Sequence, residues 1–140
     1  EFFGDKLRIN QKNMLEANDE FLNYKFYTFP SVLQPVFINI INNALYWLNS
    51  TPALERKILV NKYNDEIIIE NNGKAIDDYD LKNVFNLFFS RRPSGRGIGL
   101  HLAKTNLHTI DMDINATNLH KQRSLSGGCF IIKINANEEL

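Results

Sequence analysis

A single cysteine, Cys129, among 140 residues removes two kinds of scaffold at once. One thiol cannot close an internal disulfide, and no CxxC pair is there to hold a structural metal. Such cysteine usage fits a reducing, cytoplasmic setting. Net charge is lacking too, because sixteen Lys and Arg balance sixteen Asp and Glu. Without a basic field the chain has nothing to recruit nucleic acid or an anionic membrane surface, so an anion site must be built from a few local charges. No apolar run approaches the ~20 residues that span a bilayer, and no signal-peptide pattern opens the sequence. Internal repeats and low-complexity tracts are also missing. The opening residues, Glu1-Phe2-Phe3-Gly4, read like the interior of a longer protein. We therefore read 1–140 as one domain, a fragment of something larger.

What is present is enough for one core. At 44% hydrophobic content, a chain of this length buries about two thirds of its unfolded surface and is too short for two ordinary domains. Met14-Leu15-Glu16-Ala17 suggests an edge strand, Asn18-Asp19-Glu20 a turn, and the aromatic alternation of Tyr24 to Phe29 a further strand. A helix follows, opened by Ser31 and Gln34 as a capping box and closed by Asn49-Ser50-Thr51-Pro52. Leu33, Val36, Phe37, Ile40, Ile41, Ala44, Leu45 and Leu48 make its apolar face. Asn39 and Asn43 stack along one margin of that face, either as polar groups at the edge of a cleft or as a solvated flank. Residues 57–60 and 66–70 form a hairpin across Lys62-Tyr63-Asn64-Asp65, ending in the turn Asn71-Asn72-Gly73-Lys74-Ala75-Ile76. Asp77 to Leu87 reads as a short helix, residues to about His108 as another, and 113–117 and 129–134 as the last strands. Helices interleaved with antiparallel strand pairs point to an α/β sandwich with helices on a single face.

Between those last two helices runs Arg92-Pro93-Ser94-Gly95-Arg96-Gly97-Ile98-Gly99-Leu100, with glycines on alternate positions leading into a helical pattern. Glycine lets a ligand approach the backbone amides, and a following helix adds unpaired N–H groups and its positive end. The loop is either a cradle for phosphates or a flexible turn.

Taken in order, Asn39-Ile40-Ile41-Asn42-Asn43-Ala44, the Asn71-Asn72-Gly73 turn, Val84 to Phe89 and Gly95 to Leu100 resemble the nucleotide-binding boxes of the GHKL ATPase superfamily. The likeness is greatest to the catalytic, ATP-binding domain of sensor histidine kinases, and runs from about Tyr27 to Ile134. It implies an α+β two-layer sandwich, the Bergerat fold, with a mixed, mostly antiparallel sheet of about five strands and three main helices on one face. It also implies ATP and Mg²⁺ as cofactors, and an upstream dimerisation and phosphoacceptor domain and a response regulator as partners. Asn43 would offer Mg²⁺ a neutral oxygen, suited to a metal that also holds the triphosphate. Asn39 and Asn43 are the candidate catalytic pair. Asn71, Gly73, Ala75 and Ile76 would hold the adenine, Phe88 and Phe89 would anchor the lid, and Arg92, Gly95, Arg96, Gly97, Ile98, Gly99 and Leu100 would face the phosphates.

Position 39 separates the subfamilies, because hydrolytic members of gyrase or Hsp90 type carry a glutamate base there. An amide cannot take that proton, so Asn39 favours transfer to a histidine on another domain over hydrolysis. Three positions depart from the family pattern. Asn71 stands where an aspartate normally accepts from the adenine amine, Ala75 where a second glycine is usual, and Tyr46 where many kinases carry a phosphate-contacting lysine. Lys74, Arg91, Arg92 and Arg96 are the cations that could replace it, with Arg92 preferred. The departures motivate a second reading, a GHKL nucleotide-sensing or interaction module without phosphotransfer. A serine kinase of the anti-sigma-factor type ranks last, since that group usually keeps the glutamate. His101, His108 and His120 carry no phosphoacceptor motif, so the acceptor is expected outside this chain.

Overall fold

A computed structural model describes residues 14–93 and 95–135. Among the described residues, strand β1 (Leu15–Ala17) comes first, then helix α1 (Asp19–Leu22) and the long helix α2 (Pro30–Trp47). The hairpin β2 (Ile58–Tyr63) and β3 (Glu66–Asn71) follows, then α3 (Gly99–His108), β4 (Asp113–Ala116) and β5 (Cys129–Lys133). One sheet holds all five strands in the order β1-β2-β3-β5-β4, with β1 parallel to β2 and every other pair antiparallel. The expected architecture is therefore present, with the mixed character confined to the edge strand.

Side-chain alternation assigns one sheet face to the core. Ile58, Val60, Ile67, Ile69, Ile114, Phe130 and Ile132 join Leu33, Val36, Ile40, Ile41 and Ala44 from α2, Leu48 just after it, and Ala103 and Leu107 from α3 in one cluster. Phe37 and Leu45, on the flanks of the expected α2 stripe, are only partly buried against it. The opposite face is covered in part by residues 117–128. There Glu70, 1% exposed, accepts hydrogen bonds from the Ser124 and Leu125 amides and the Ser124 hydroxyl, while His120 meets Glu66 at 3.0 Å.

Five local expectations are corrected. Helix α2 begins at Pro30 with Phe29 as N-cap and no side-chain cap bond, so the Ser31–Gln34 box is not formed; proline at the first position is pre-set for helical φ. Asn18-Asp19-Glu20 is the start of α1 rather than a turn, because the Asn18 side chain caps the Phe21 amide and also bonds both backbone groups of Lys62. Tyr24 to Phe29 is no strand. Tyr24 and Phe26 turn inward and pack edge-on, Phe26 against Phe21, Tyr24 and Phe37, while Tyr27 and Phe29 stay exposed. Asp77 to Leu87 forms only a short 3₁₀ turn (Asp78–Asp80) and further turns. Its asparagines and aspartates compete for local bonds, as in Asn83 Nδ2 to the Tyr79 carbonyl, and this opposes a continuous helix. The hairpin loop is tighter than expected, since β2 extends to Tyr63 and only Asn64 and Asp65 turn the chain, Asn64 at φ 58°.

Candidate functional site

A cleft of about 690 Å³ opens between α2, the turn after β3 and the segment leading into α3. That volume lies within the usual range for small-molecule sites, about 300–1,000 Å³. Of the fourteen sequence-derived candidates, thirteen line it: Asn39, Asn43, Asn71, Ala75, Ile76, Phe89, Arg92, Gly95, Arg96, Gly97, Ile98, Gly99 and Leu100. Gly73 does not. Its Cα is pressed against the C-terminal end of α2, where an added Cβ would lie 2.5 Å from the Trp47 carbonyl oxygen. It serves the turn's packing, and the close approach it allows is to Trp47.

The helical wall comes from α2. Asn39 and Asn43 project from successive turns, one helical repeat apart, and Asn39 Oδ1 lies so near the start of α3 that a Cβ on Gly99 would approach it to 3.3 Å. Tyr46 continues the same stripe. Asn43 is half-buried and spends its side-chain amide on no hydrogen bond among the described residues, so its oxygen is open to a ligand in the cleft. No group of three or more His, Cys, Asp or Glu that could hold a metal occurs among the described residues. A divalent cation at Asn43 would therefore draw its other ligands from a bound phosphate and water, which suits Mg²⁺.

At the other end, Asn71 is 2% exposed and closes the sheet side of the cleft. Its backbone is paired in both directions, N–H to the Gly128 carbonyl and carbonyl to the Gly127 amide, and its Oδ1 accepts from the Gly73 amide at 2.9 Å. Gly128 and Phe130 line the floor beside it. Sequence reasoning missed both, since only the pairing of β3 with β5 brings them next to Asn71.

The arginine and glycine segment forms the third wall. Gly97 takes φ +68° and sits on the Phe88–Phe89 peptide, where a Cβ would lie 2.3 Å from the Phe88 carbonyl carbon. The Phe88 amide donates to the Gly97 carbonyl at 2.8 Å, so the two ends of the lid are joined through backbone. Phe88 itself is 72% exposed at φ 69°, so its ring does not provide the anchorage expected of it; Phe89 lines the cleft instead. The candidate cations are now distinguishable. Arg91 is committed to Asp80 through two hydrogen bonds of 3.0 and 3.1 Å, a carboxylate 3% exposed that sequence reasoning did not single out. Its guanidinium is held still more firmly protonated by that carboxylate. Lys74 stands over the Trp47 ring at 5.6 Å, and Arg96 is exposed. Arg92 lies over Tyr46, and its Nε is buried without a partner among the described residues.

The three histidines have structural partners: His101 the Phe85 carbonyl, His108 the Asp113 carboxylate and His120 the Glu66 carboxylate. Burial would raise the Asp113 carboxyl, but hydrogen bonds from His108, the Ile114 amide and Lys104 outweigh it and hold it below its ordinary value. Burial, then the nearby Glu70 charge, push the Cys129 thiol up to about 11.

Comparison with known proteins adds three findings. Residues 29–138 match the family described as histidine kinase-, DNA gyrase B-, and HSP90-like ATPase. Among curated proteins, the chain is 32% identical over 91 residues to the signal transduction histidine-protein kinase AtoS of Escherichia coli K12, a match covering 63% of this chain and 15% of that protein. It is 34% identical over 68 residues to the autoinducer 1 sensor kinase/phosphatase LuxN of Vibrio campbellii, covering 46% of this chain and 8% of LuxN. The chain thus spans a small part of the curated relatives it matches. Its fold is that of the mycobacterial sensor histidine kinase MprB, with TM-score 0.70, 19% identity and coverage of 91% and 85% of the two chains. A nucleotide-free catalytic domain of the histidine kinase ThkA gives TM-score 0.67 at 21% identity, covering 96% and 86%.

Proposed function

The chain belongs to the histidine kinase-, DNA gyrase B- and HSP90-like ATPase family, and on that premise we propose that it is the Mg-ATP-binding catalytic domain of a two-component sensor histidine kinase. It donates the γ-phosphate to a histidine on an upstream dimerisation domain, from which a response regulator takes it, in the cytoplasm or on the cytoplasmic side of a membrane sensor. The observation that carries this reading is the pair Asn39 and Asn43 on the helical wall of the cleft that the glycine segment also lines.

Asn43 and the nucleotide's phosphates would hold Mg²⁺, which neutralises charge on the transferred group. The chain's own residues position the triphosphate: Arg92 offers a cation, and Gly95 to Gly99 bring backbone close to the phosphates. Asn39 is an amide and takes no proton from water, which argues against hydrolysis and supports a nucleophile supplied by another domain. Phosphoryl transfer between oxygen and imidazole nitrogen mainly requires alignment, which a cleft walled by α2 and the glycine segment can supply.

Titration of a fluorescent ATP analogue with and without Mg²⁺ tests the reading. The wild-type domain should bind more tightly with the metal, and Asn43→Ala should lose that increment; equal metal dependence in both proteins would remove Asn43 from the site. A second reading, a nucleotide-sensing or interaction module without phosphotransfer, draws on Asn71 and Ala75. Acid-labile label on histidine, after the full-length protein is given radiolabelled ATP, would eliminate it.

A further inference from the structure

Asn71 sits where a base-recognising carboxylate is expected, and its amide has a defined orientation. The Gly73 N–H can only donate, so it selects Oδ1, which it meets at 2.9 Å. Gly127 crowds the same oxygen, since a Cβ there would lie 2.5 Å from it. The other end of the amide points elsewhere. A Cβ built on Gly128 would lie 3.3 Å from Asn71 Nδ2 and 3.9 Å from both Ile76 and Phe130, three residues that line the cleft. Nδ2 makes no hydrogen bond among the described residues, yet it is not among their sealed, unpartnered atoms. The backbone of Asn71 is fully spent on Gly127 and Gly128. The polar atom that this residue presents at the base end is therefore a donor.

An aspartate would present an acceptor at that point, suited to the exocyclic amine of adenine. A donor faces that amine with like against like, and it satisfies an exocyclic oxygen instead, because Asn can give N–H but has no second oxygen to offer. We infer that the base end of the cleft favours a purine with oxygen at C6, guanine or hypoxanthine, over adenine. This inference rests on the nucleotide reading of the cleft and changes only which base the cleft prefers.

The discriminating ligands are ITP and ATP, whose bases differ at C6 and in protonation of the adjoining ring nitrogen; GTP adds the C2 amine. Competition of each against a fluorescent triphosphate, in Mg²⁺, gives the Kd ratio. The wild-type domain should bind ITP more tightly than ATP, and Asn71→Asp should shift the ratio about tenfold toward ATP. Equal or tighter binding of ATP by the wild type overturns the inference, as does a ratio unmoved in a folded Asn71→Asp variant. Should the buried carboxylate unfold the variant, the wild-type ratio alone decides. Failure of all three triphosphates to bind overturns the nucleotide reading itself, and this inference with it.

Discussion

Arg92 sits over Tyr46, its Cζ 4.2 Å from the centre of the ring. Tyr46 belongs to α2, three residues after Asn43, where related kinases often carry a lysine. The cation is thus delivered to the same neighbourhood from the lid, and the aromatic ring holds it there with about 0.5–2 kcal/mol of cation–π attraction. The Arg92 amide donates to the Ser90 hydroxyl, which folds the lid back toward that ring.

Replacing Arg92 by Ala should weaken a non-hydrolysable ATP analogue about tenfold, roughly 1.4 kcal/mol, and weaken adenosine little. Tyr46→Lys in the same background should recover most of the loss. Calorimetric titration of the two ligands checks both statements; an equal loss for adenosine would move Arg92 away from the phosphates.

Asn39→Glu restores a proton acceptor at the cleft wall beside Gly99. A positioned base contributes ~10²–10⁴-fold to such a step, so phosphate release from ATP should rise at least tenfold over wild type. No increase would mean that position 39 is not what limits hydrolysis here.

Gly97→Ala places a methyl 2.3 Å from the Phe88 carbonyl carbon at φ +68°. Backbone strain alone costs ~1–3 kcal/mol, and the clash adds to it. The variant should melt several degrees lower and bind nucleotide at least tenfold more weakly, measured by calorimetry and titration. A melting temperature equal to wild type would contradict the tight seating of the lid.

Cys129 is buried, and its thiol is raised from an ordinary 9.0 to about 11 by burial and by Glu70. The folded state therefore holds the proton longer than the unfolded chain does. Its contribution to stability is complete below pH 9 and is lost as pH climbs through the folded value. Denaturant titrations should show stability falling above pH 9, with Cys129→Ala flattening that limb. In native buffer at pH 8 a thiol reagent should react only as fast as the protein unfolds.

Much of this arrangement was legible because local chemistry and tertiary use agree. The apolar stripe of α2 is buried as its spacing predicts, and Asn39, Asn43 and the alternate glycines share one cleft. What was not legible depends on partners far along the chain. The cap at Asn18 is completed by Lys62, 44 residues away, so a stretch that reads as a turn becomes a helix start. Aromatics from Tyr24 to Phe29 alternate like a strand, yet Phe37 on α2 offers edge contacts that a sheet edge would not. Asp80 draws Arg91 out of the pool of cations for the phosphates, a pairing that eleven positions of sequence do not announce. Gly73 looks like part of the ligand surface because its neighbours are, and only the position of the Trp47 carbonyl reveals its actual contact.

The two ends of the cleft are fastened very differently. Asn71 ends a central strand and is tied to Gly127 and Gly128, whereas the lid hangs on the Phe88–Gly97 backbone bond, the Asp80–Arg91 pair and the Arg92–Tyr46 stack. Hydrogen exchange should therefore show amides at the first end protected until the sheet opens, and those of the lid exchanging through smaller local openings. On the nucleotide reading, base selection then falls to the sheet-anchored wall. How long a nucleotide stays is a rate, set by how often the lid lets go.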